Sequence, residues 1–162
     1  MPGVGKTSIG KLLSKALNIK HIDIDQCVEI NESQTINELM IKRGEEAFRN
    51  LEKKELSLAI HKAELSIIST GGGVVLDEDN CYLIKNKTYG IHIKSTNEEI
   101  SKRIDANSRP LLYNTNKLKT LRSLWKTREK LYNNTAKIKI NIEGLSLNEA
   151  VNKIYTRLSN DK

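Results

Sequence analysis

The segment Gly3-Val4-Gly5-Lys6-Thr7, at the start of the 162-residue chain, constrains the fold more than any other feature of the sequence. Its second half matches the end of a phosphate-binding loop, which reads glycine, four residues, then Gly-Lys-Ser/Thr, and which connects a buried strand to a helix. Glycines let consecutive backbone N–H groups face a phosphate, and the positive end of the following helix points at the same anion. The segment therefore predicts a nucleotide site at the start of a helix.

The residues within and after this loop support that interpretation. Lys6 suits the β- and γ-phosphates, and the Thr7 hydroxyl suits Mg²⁺. The apolar residues that follow recur at helical spacing, namely Ile9, Leu12, Leu13, Ala16 and Leu17. The first glycine of the motif would lie one residue before Met1, so we expect the natural polypeptide to begin about a dozen residues earlier, with a strand. A glycine-containing turn that opens an ordinary helix is the alternative.

Composition narrows the class of protein. A hydrophobic content of 38% and a charged content of 29% are typical of a globular chain, and the length predicts one domain over residues 1–162. Cys27 and Cys81 have neither metal-ligand spacing nor the pattern of a disulfide framework. No apolar run reaches the length of a membrane span, and no signal peptide is recognisable. We therefore expect a cytoplasmic protein without a membrane partner.

The formal net charge of +7 suits an acidic substrate or a nucleic acid. The lysines, however, are scattered along the chain, and its Lys, Asn and Ile content is typical of genome base composition. One Trp and one Phe provide little surface on which bases could stack. We therefore do not expect nucleic-acid binding.

Helical and strand patterns alternate along the chain. The predicted helices cover about 5–17, 26–42, 45–63, 78–85, 97–104, 117–133 and 146–158, and the predicted strands 21–24, 65–69, 89–93 and 136–142. Such alternation predicts an α/β fold of three layers, with a parallel sheet between helices. In phosphate-loop folds the strand before the loop is central, so this first strand is expected to be missing from the sheet.

Two aspartates, Asp23 and Asp25, follow the first predicted strand. Strand alternation would place both carboxylates on one side of the chain, at the carboxyl end of the strand. A pair of carboxylates beside a phosphate loop suits metal binding and proton acceptance. The alternative is that Asp25 caps the next helix.

Further candidate residues lie near strand ends and on helices. Arg49 and Glu52 share a helix face, where the guanidinium could bind a carboxylate or merely form a surface ion pair. The three glycines at 71–73 follow a predicted strand and allow a ligand to approach the backbone, although a flexible turn is the alternative. Arg109 lies in a polar loop that could close over a nucleotide, and Arg128 lies on a helix.

Together these motifs resemble those of shikimate kinases over nearly the whole chain, because their order and spacing match. The motifs that carry the resemblance are Gly3–Thr7, Asp23-Ile24-Asp25, Gly44–Glu52, Gly71-Gly72-Gly73-Val74-Val75, Arg109-Pro110-Leu111-Leu112, and Arg128 with Leu131-Tyr132.

The resemblance implies that the chain transfers the γ-phosphoryl of ATP to the 3-hydroxyl of shikimate, with Mg²⁺. The implied catalytic residues are Lys6, Asp25 and Arg109. The implied nucleotide-binding residues are Gly3, Val4, Gly5, Lys6, Thr7, Ser8 and Arg109, the last on a lid at about 105–116. The implied shikimate-binding residues are Asp25, Arg49, Gly71, Gly72, Gly73 and Arg128, with Glu52 orienting Arg49. The implied Mg²⁺ ligands are Thr7 and Asp23, the second through water.

The resemblance leaves some points open. An arginine near the adenine could correspond to Lys102 or to Arg103. The family is usually monomeric, which is the expectation for this chain. Two other functions remain as alternatives: another small-metabolite kinase such as a gluconate kinase, and a binding protein that descends from a kinase and is inactive.

Overall fold

The computed structural model of the protein describes residues 1–62, 64–104 and 116–161. In these ranges the α-helices are α1 (Lys6–Leu17), α2 (Ile24–Glu32), α3 (Ile36–Lys62), α4 (Glu78–Lys87), α5 (Asn97–Arg103), α6 (Lys117–Thr135) and α7 (Leu147–Asn160). The β-strands are β1 (Lys20–Asp23), β2 (Ser66–Ser69), β3 (Ile91–Lys94) and β4 (Ile138–Asn141), and a short 3₁₀ helix covers Val74–Leu76. The α/β class predicted from the alternation is confirmed.

The four strands form two parallel pairs. β1 pairs with β2, from Lys20 opposite Ser66 onward, and β3 pairs with β4, from Ile91 opposite Ile138 onward. Within the described residues no ladder joins the two pairs, and a cavity of about 880 Å³ lies between β2 and β3. The single parallel sheet of the sequence prediction is therefore present as two pairs, because the residues before α1 form turns and place no strand between β2 and β3.

Two clusters of buried side chains hold the helices against the strands. The larger cluster joins α1, α5, α6 and α7 to both strand pairs through Ile9, Leu13, Ile100, Leu121, Ile138, Ile140 and Ile154. The smaller cluster lies between α2 and α3 and consists of Val28, Leu39 and Phe48. Because the smaller cluster is separate, α2 and the first half of α3 pack around a core of their own. Burial of apolar surface stabilises both clusters by about 25 cal/mol per Å².

Three helices begin directly after a residue whose side chain caps the helix N-terminus. The side chains of Asp77, Thr96 and Ser146 each accept a hydrogen bond from the backbone N–H three residues further on, at the starts of α4, α5 and α7. Ser146 and Glu149 form a full capping box. The predicted starts of these three helices agree with the structure to within one residue.

The predicted helix at 26–42 is wrong, because the chain contains a break there. α2 ends at Glu32, its C-cap Ser33 has a positive φ of 52°, and α3 begins after Thr35. The Thr35 N–H donates to Glu38 Oε2 at 2.8 Å, and the Glu38 N–H donates to Thr35 Oγ1 at 3.2 Å. This reciprocal pair is the Thr-x-x-Glu capping box of α3, a signal that was present in the sequence.

The sequence predicted one helix that ends at residue 42 and another that begins at residue 45, whereas the structure has one helix whose geometry is interrupted at Gly44. α3 continues through Gly44, but this residue has a φ of 82° and a ψ of 168°, outside the helical region. A positive φ is accessible to glycine at little cost. Two helical segments therefore meet at Gly44, and the second carries Arg49 and Glu52.

No helix in the described ranges combines the length and the hydropathy that a transmembrane segment needs.

His92 is a buried imidazole at the centre of an aromatic cluster. Its side chain is 6% exposed, and its ring centroid lies 4.8 Å from that of Tyr132 and 5.9 Å from that of Trp125. Neither ring nitrogen has a hydrogen-bond partner among the described residues. Burial, with smaller contributions from the N-terminal amine and Lys94, lowers the pKa of His92 to about 4. The folded protein therefore keeps this ring neutral.

We expect stability to fall between pH 6.5 and pH 4. In that window the unfolded chain binds a proton at His92, whose ordinary pKa is 6.5, and the folded chain does not. The free energy of unfolding should therefore decrease by about 2–3 kcal/mol from pH 7 to pH 4.5 through this residue. Substitution His92→Phe should remove that part of the pH dependence in urea unfolding, and His61→Gln, at an exposed histidine, should retain it. An unchanged pH dependence in His92→Phe would contradict the assignment.

Candidate active site

The phosphate loop precedes α1 as a turn built on two glycines with positive φ. Gly3 has a φ of 74° and Gly5 a φ of 98°, and the first helical residue is Lys6. A Cβ on Gly3 would overlap the side chain of Ile104, so a larger residue would strain the turn both by its φ and by this contact. Lys6 Nζ donates a hydrogen bond to the Met1 carbonyl oxygen at 2.6 Å, which holds the ammonium over the loop.

A cavity of about 490 Å³ lies over this loop and the start of α1. The six predicted nucleotide-binding residues of the described part of the chain all line it: Gly3, Val4, Gly5, Lys6, Thr7 and Ser8. Backbone N–H groups at the start of a helix attract anions because they lack intrahelical partners. The cavity is therefore suited to the phosphates of a nucleotide. Arg109 and residues 105–115 of the predicted lid lie outside the described residues.

Thr7, which lines this cavity, is hydrogen-bonded to Asp23. Thr7 Oγ1 donates to Asp23 Oδ2 at 2.7 Å, and Asp23 Oδ1 accepts the Gln26 N–H at 3.2 Å. The described residues contain no group of three or more His, Cys, Asp or Glu side chains that could hold a metal ion. One hydroxyl and one carboxylate beside a phosphate site nevertheless fit Mg²⁺, which is usually held by one or two carboxylates together with phosphates and water.

The structure corrects the sequence interpretation of the two aspartates. β1 ends at Asp23, and Asp25 lies in the first turn of α2, so the strand alternation expected for the pair does not extend to Asp25. The cap of α2 is Asp23 and not Asp25. The two carboxylates are two residues apart at the start of α2, and Asp25 lies on the wall of the phosphate cavity.

The three glycines after β2 lie against the charged side chains of the site. A Cβ on Gly71 would lie less than 3.0 Å from both Asp25 Oδ1 and Glu52 Oε1, and a Cβ on Gly73 would overlap the Arg49 guanidinium. Gly72 instead accepts, through its carbonyl oxygen, a hydrogen bond of 3.1 Å from Arg128 Nη1. Side chains at 71 and 73 would displace these charged groups, and one at 72 would crowd the backbone of Met1 and Pro2.

Arg49 is fixed by two carboxylates on its own helix. Its Nη1 donates to Glu52 Oε2 at 2.7 Å, and its Nε and Nη2 donate to Glu45 Oε1 at 3.2 and 2.9 Å. Burial raises the pKa of the Glu52 carboxyl, which is 1% exposed, and the Arg49 charge opposes that rise. The expectation that Glu52 orients Arg49 agrees with this geometry.

The predicted substrate residues thus converge beside the predicted nucleotide site. α3 provides Arg49, α6 provides Arg128, and the segment at 71–73 lies between them. Asp25 and Gly71 also line the phosphate cavity. The cavity over the loop and a cluster with two guanidinium groups therefore share a wall at Asp25 and Gly71.

Several residues that line the cavity were not assigned to a site from the sequence, among them Ile142, Leu145, Ser146 and Leu147. Of the two candidates near an adenine, Arg103 lines the cavity and Lys102 does not. The sequence predicted a helix that begins at Ser146, but the pattern that indicates a helix does not report which cavity its start borders.

The comparisons with known proteins agree with this geometry. The family model described as shikimate kinase matches residues 2–159. A shikimate kinase of Dictyoglomus turgidum is 36% identical over 98% of this chain and 94% of its own length. The structure of shikimate kinase from Acinetobacter baumannii in complex with shikimate aligns with a TM-score of 0.92 at 27% identity, over 99% of this chain and 89% of that one. The Aquifex aeolicus enzyme aligns with a TM-score of 0.84 at 31% identity, over 99% and 94% of the two chains. The chain belongs to the shikimate kinase family.

Proposed function

We propose that the shared wall of the two sites is where this ATP-dependent kinase transfers the γ-phosphoryl of ATP to the 3-hydroxyl of shikimate. The observation that carries the proposal is that Asp25 and Gly71 border the phosphate cavity, and that Gly71 also packs against Glu52, whose carboxylate pairs with Arg49. An acceptor alcohol held by this cluster lies next to the phosphates without a further rearrangement of the chain.

The nucleotide side of the proposal rests on the loop and α1. Lys6 binds the β- and γ-phosphates, and the N–H groups from Gly3 to Ser8 bind the phosphate oxygens. Thr7, together with Asp23 through water, holds Mg²⁺, which neutralises phosphate charge when bound. The Lys6 ammonium provides a fixed positive charge where negative charge accumulates during transfer.

The acceptor side of the proposal rests on polar groups that bind a carboxylate and hydroxyls. Arg49 and Arg128 bind the shikimate carboxylate, because planar guanidinium groups match a carboxylate in two-point hydrogen bonds. Asp25 orients the attacking hydroxyl and accepts its proton. The glycines at 71–73 lie along the ring of the acid. Sugars without a carboxylate would leave two guanidinium groups poorly paired, which is a strong basis for discrimination.

A substrate panel tests the proposal. The purified chain is supplied with Mg-ATP and either shikimate or gluconate, and ADP release and the phosphorylated product are measured. We expect turnover with shikimate and none with gluconate, whose kinases were the alternative in the same fold, because gluconate has a carboxylate for the guanidinium groups but no ring to lie along the glycines at 71–73. Turnover with gluconate alone would contradict the substrate assignment. Binding of ATP and shikimate without product would favour the inactive binding protein.

The proposal describes a cytoplasmic, monomeric domain over residues 1–162 without a nucleic-acid or membrane partner. One chain provides both clusters, which supports a monomer. The unpaired thiols of Cys27 and Cys81 suit a reducing compartment. Sedimentation at micromolar concentration with both substrates present tests the oligomeric state, and a dimer would contradict the monomer.

A further inference from the structure

The Gly72 carbonyl oxygen accepts two hydrogen bonds from neighbouring turns of α6. Arg128 Nη1 donates at 3.1 Å and the Tyr132 hydroxyl donates at 2.5 Å. Arg128 and Tyr132 are four residues apart on the helix, so they share one face. Both side chains are buried, at 5% and 7% exposure. A carbonyl oxygen has two lone pairs, and the two donors can use both of them.

The Tyr132 ring has little freedom to move its hydroxyl. Its centroid lies 4.8 Å from the His92 ring on β3 and 6.4 Å from the Trp125 ring on α6. Burial also raises the pKa of the Tyr132 phenol, so it remains a neutral donor at neutral pH. A packed aromatic ring with a polar tip is a rigid way to place one hydrogen-bond donor.

Gly72 is restrained on its other side by the phosphate loop. A Cβ on Gly72 would lie 3.0 Å from the Pro2 nitrogen and 3.2 Å from the Met1 carbonyl carbon. The peptide of Gly72 therefore packs between the start of the chain and α6, and its carbonyl oxygen faces the two donors of α6. If the Gly72 carbonyl oxygen loses one of these hydrogen bonds, either Arg128 or the segment at 71–73 has to shift to replace it.

We propose that Tyr132 is a positioning residue for the acid-binding site, acting on Arg128 through the Gly72 carbonyl. The Tyr132 hydroxyl satisfies one lone pair, so the carbonyl takes only one N–H group of Arg128 and leaves the other guanidinium donors for a carboxylate. Without the hydroxyl, a buried lone pair is left unsatisfied, and the nearest donor that can compensate is the same guanidinium. The inference rests on the proposed role of Arg128 at the carboxylate.

The test is the substitution Tyr132→Phe, which keeps the ring and removes only the hydroxyl. We expect the KM for shikimate to rise about 3–10-fold, the range for loss of one neutral hydrogen bond, with the KM for ATP changed less than about twofold. Tyr155→Phe is the matched control, because Tyr155 lies on α7 and is 42% exposed. Both KM values should be unchanged in that variant.

A double-mutant cycle with Arg128→Lys separates positioning from packing. If Tyr132 acts through Arg128, Tyr132→Phe should have little further effect on the shikimate KM in the Arg128→Lys background. Fully additive losses would overturn the inference. An unchanged shikimate KM in Tyr132→Phe would also overturn the inference. An equal rise in the KM values for shikimate and ATP, or a Tyr132→Phe variant that fails to fold, would overturn it as well, because either result would show a role in the core alone.

The same cycle distinguishes this inference from the proposed function. A single variant Arg128→Lys with an unchanged shikimate KM would overturn the placement of the carboxylate itself. A large effect of Arg128→Lys together with no effect of Tyr132→Phe would overturn only the role of Tyr132.

Discussion

The substitution Asp25→Asn should abolish phosphoryl transfer while ATP binding is retained. The amide has the shape of the carboxylate but cannot accept the proton of the attacking hydroxyl. Loss of a general base costs about 10²–10⁴-fold in rate, and the amide also loses the negative charge that orients the hydroxyl. Asp25 borders the phosphate cavity, but the proposed phosphate contacts come from the loop and α1, which line the same cavity, so ATP affinity should change little. Steady-state turnover and calorimetric titration with ATP measure the two effects.

Asp79→Asn is a matched control for this substitution, because Asp79 is 76% exposed and pairs with Lys53 outside the site. That variant should keep the wild-type rate. Near-normal turnover in Asp25→Asn would contradict the role of Asp25 as proton acceptor. Loss of both ATP binding and turnover in Asp25→Asn would indicate that the substitution disturbs the loop rather than the proton transfer.

Local features of the site were predictable from the sequence because the chemistry that they need is also local. Glycines at positions 3 and 5 predicted a phosphate-binding turn before a helix, and the structure has a turn with φ values of 74° and 98° there. At these two positions the residue type is dictated by backbone sterics, which act at the residue itself. The three glycines after β2 predicted close approach of a ligand to the backbone, and in the structure charged side chains of the protein lie against two of them.

Contacts between distant parts of the chain were predictable only through the resemblance to a family. The i, i+3 spacing of Arg49 and Glu52 predicted their pairing, but nothing in the spacing of the sequence brings Arg49 on α3 to the same glycine segment as Arg128 on α6. Helix packing decides that convergence, and it depends on which apolar faces meet in the larger core cluster. Tyr132 belonged to a matching motif, yet its contact with Gly72 depends on the same packing.

The errors of the sequence interpretation also have physical reasons. Strand alternation was extended to Asp25, although Asp23 already ends β1 and caps α2. The break after Glu32 was missed although residues 31–35 are all polar, and the left-handed Ser33 and the Thr35–Glu38 capping box mark it in the structure. Periodicity reports the buried face of a helix, whereas its end is decided by one or two residues.

The substitution Lys6→Ala should lower kcat/KM by several orders of magnitude, with most of the loss in kcat. Lys6 Nζ lies 2.6 Å from the Met1 carbonyl oxygen, over the loop that binds the phosphates. Removing one group that stabilises developing charge costs about 10²–10³-fold in rate, and Lys6 carries a full positive charge into a site where the transferred group is anionic. Lys11→Ala, at an exposed position on the same helix, controls for lost net charge and helix propensity and should leave the rate unchanged. Shikimate affinity should be retained in both variants, because Arg49 and Arg128 lie outside the loop. A Lys6→Ala variant with a rate within tenfold of the wild type would show that the loop holds the nucleotide in a different register from the one proposed.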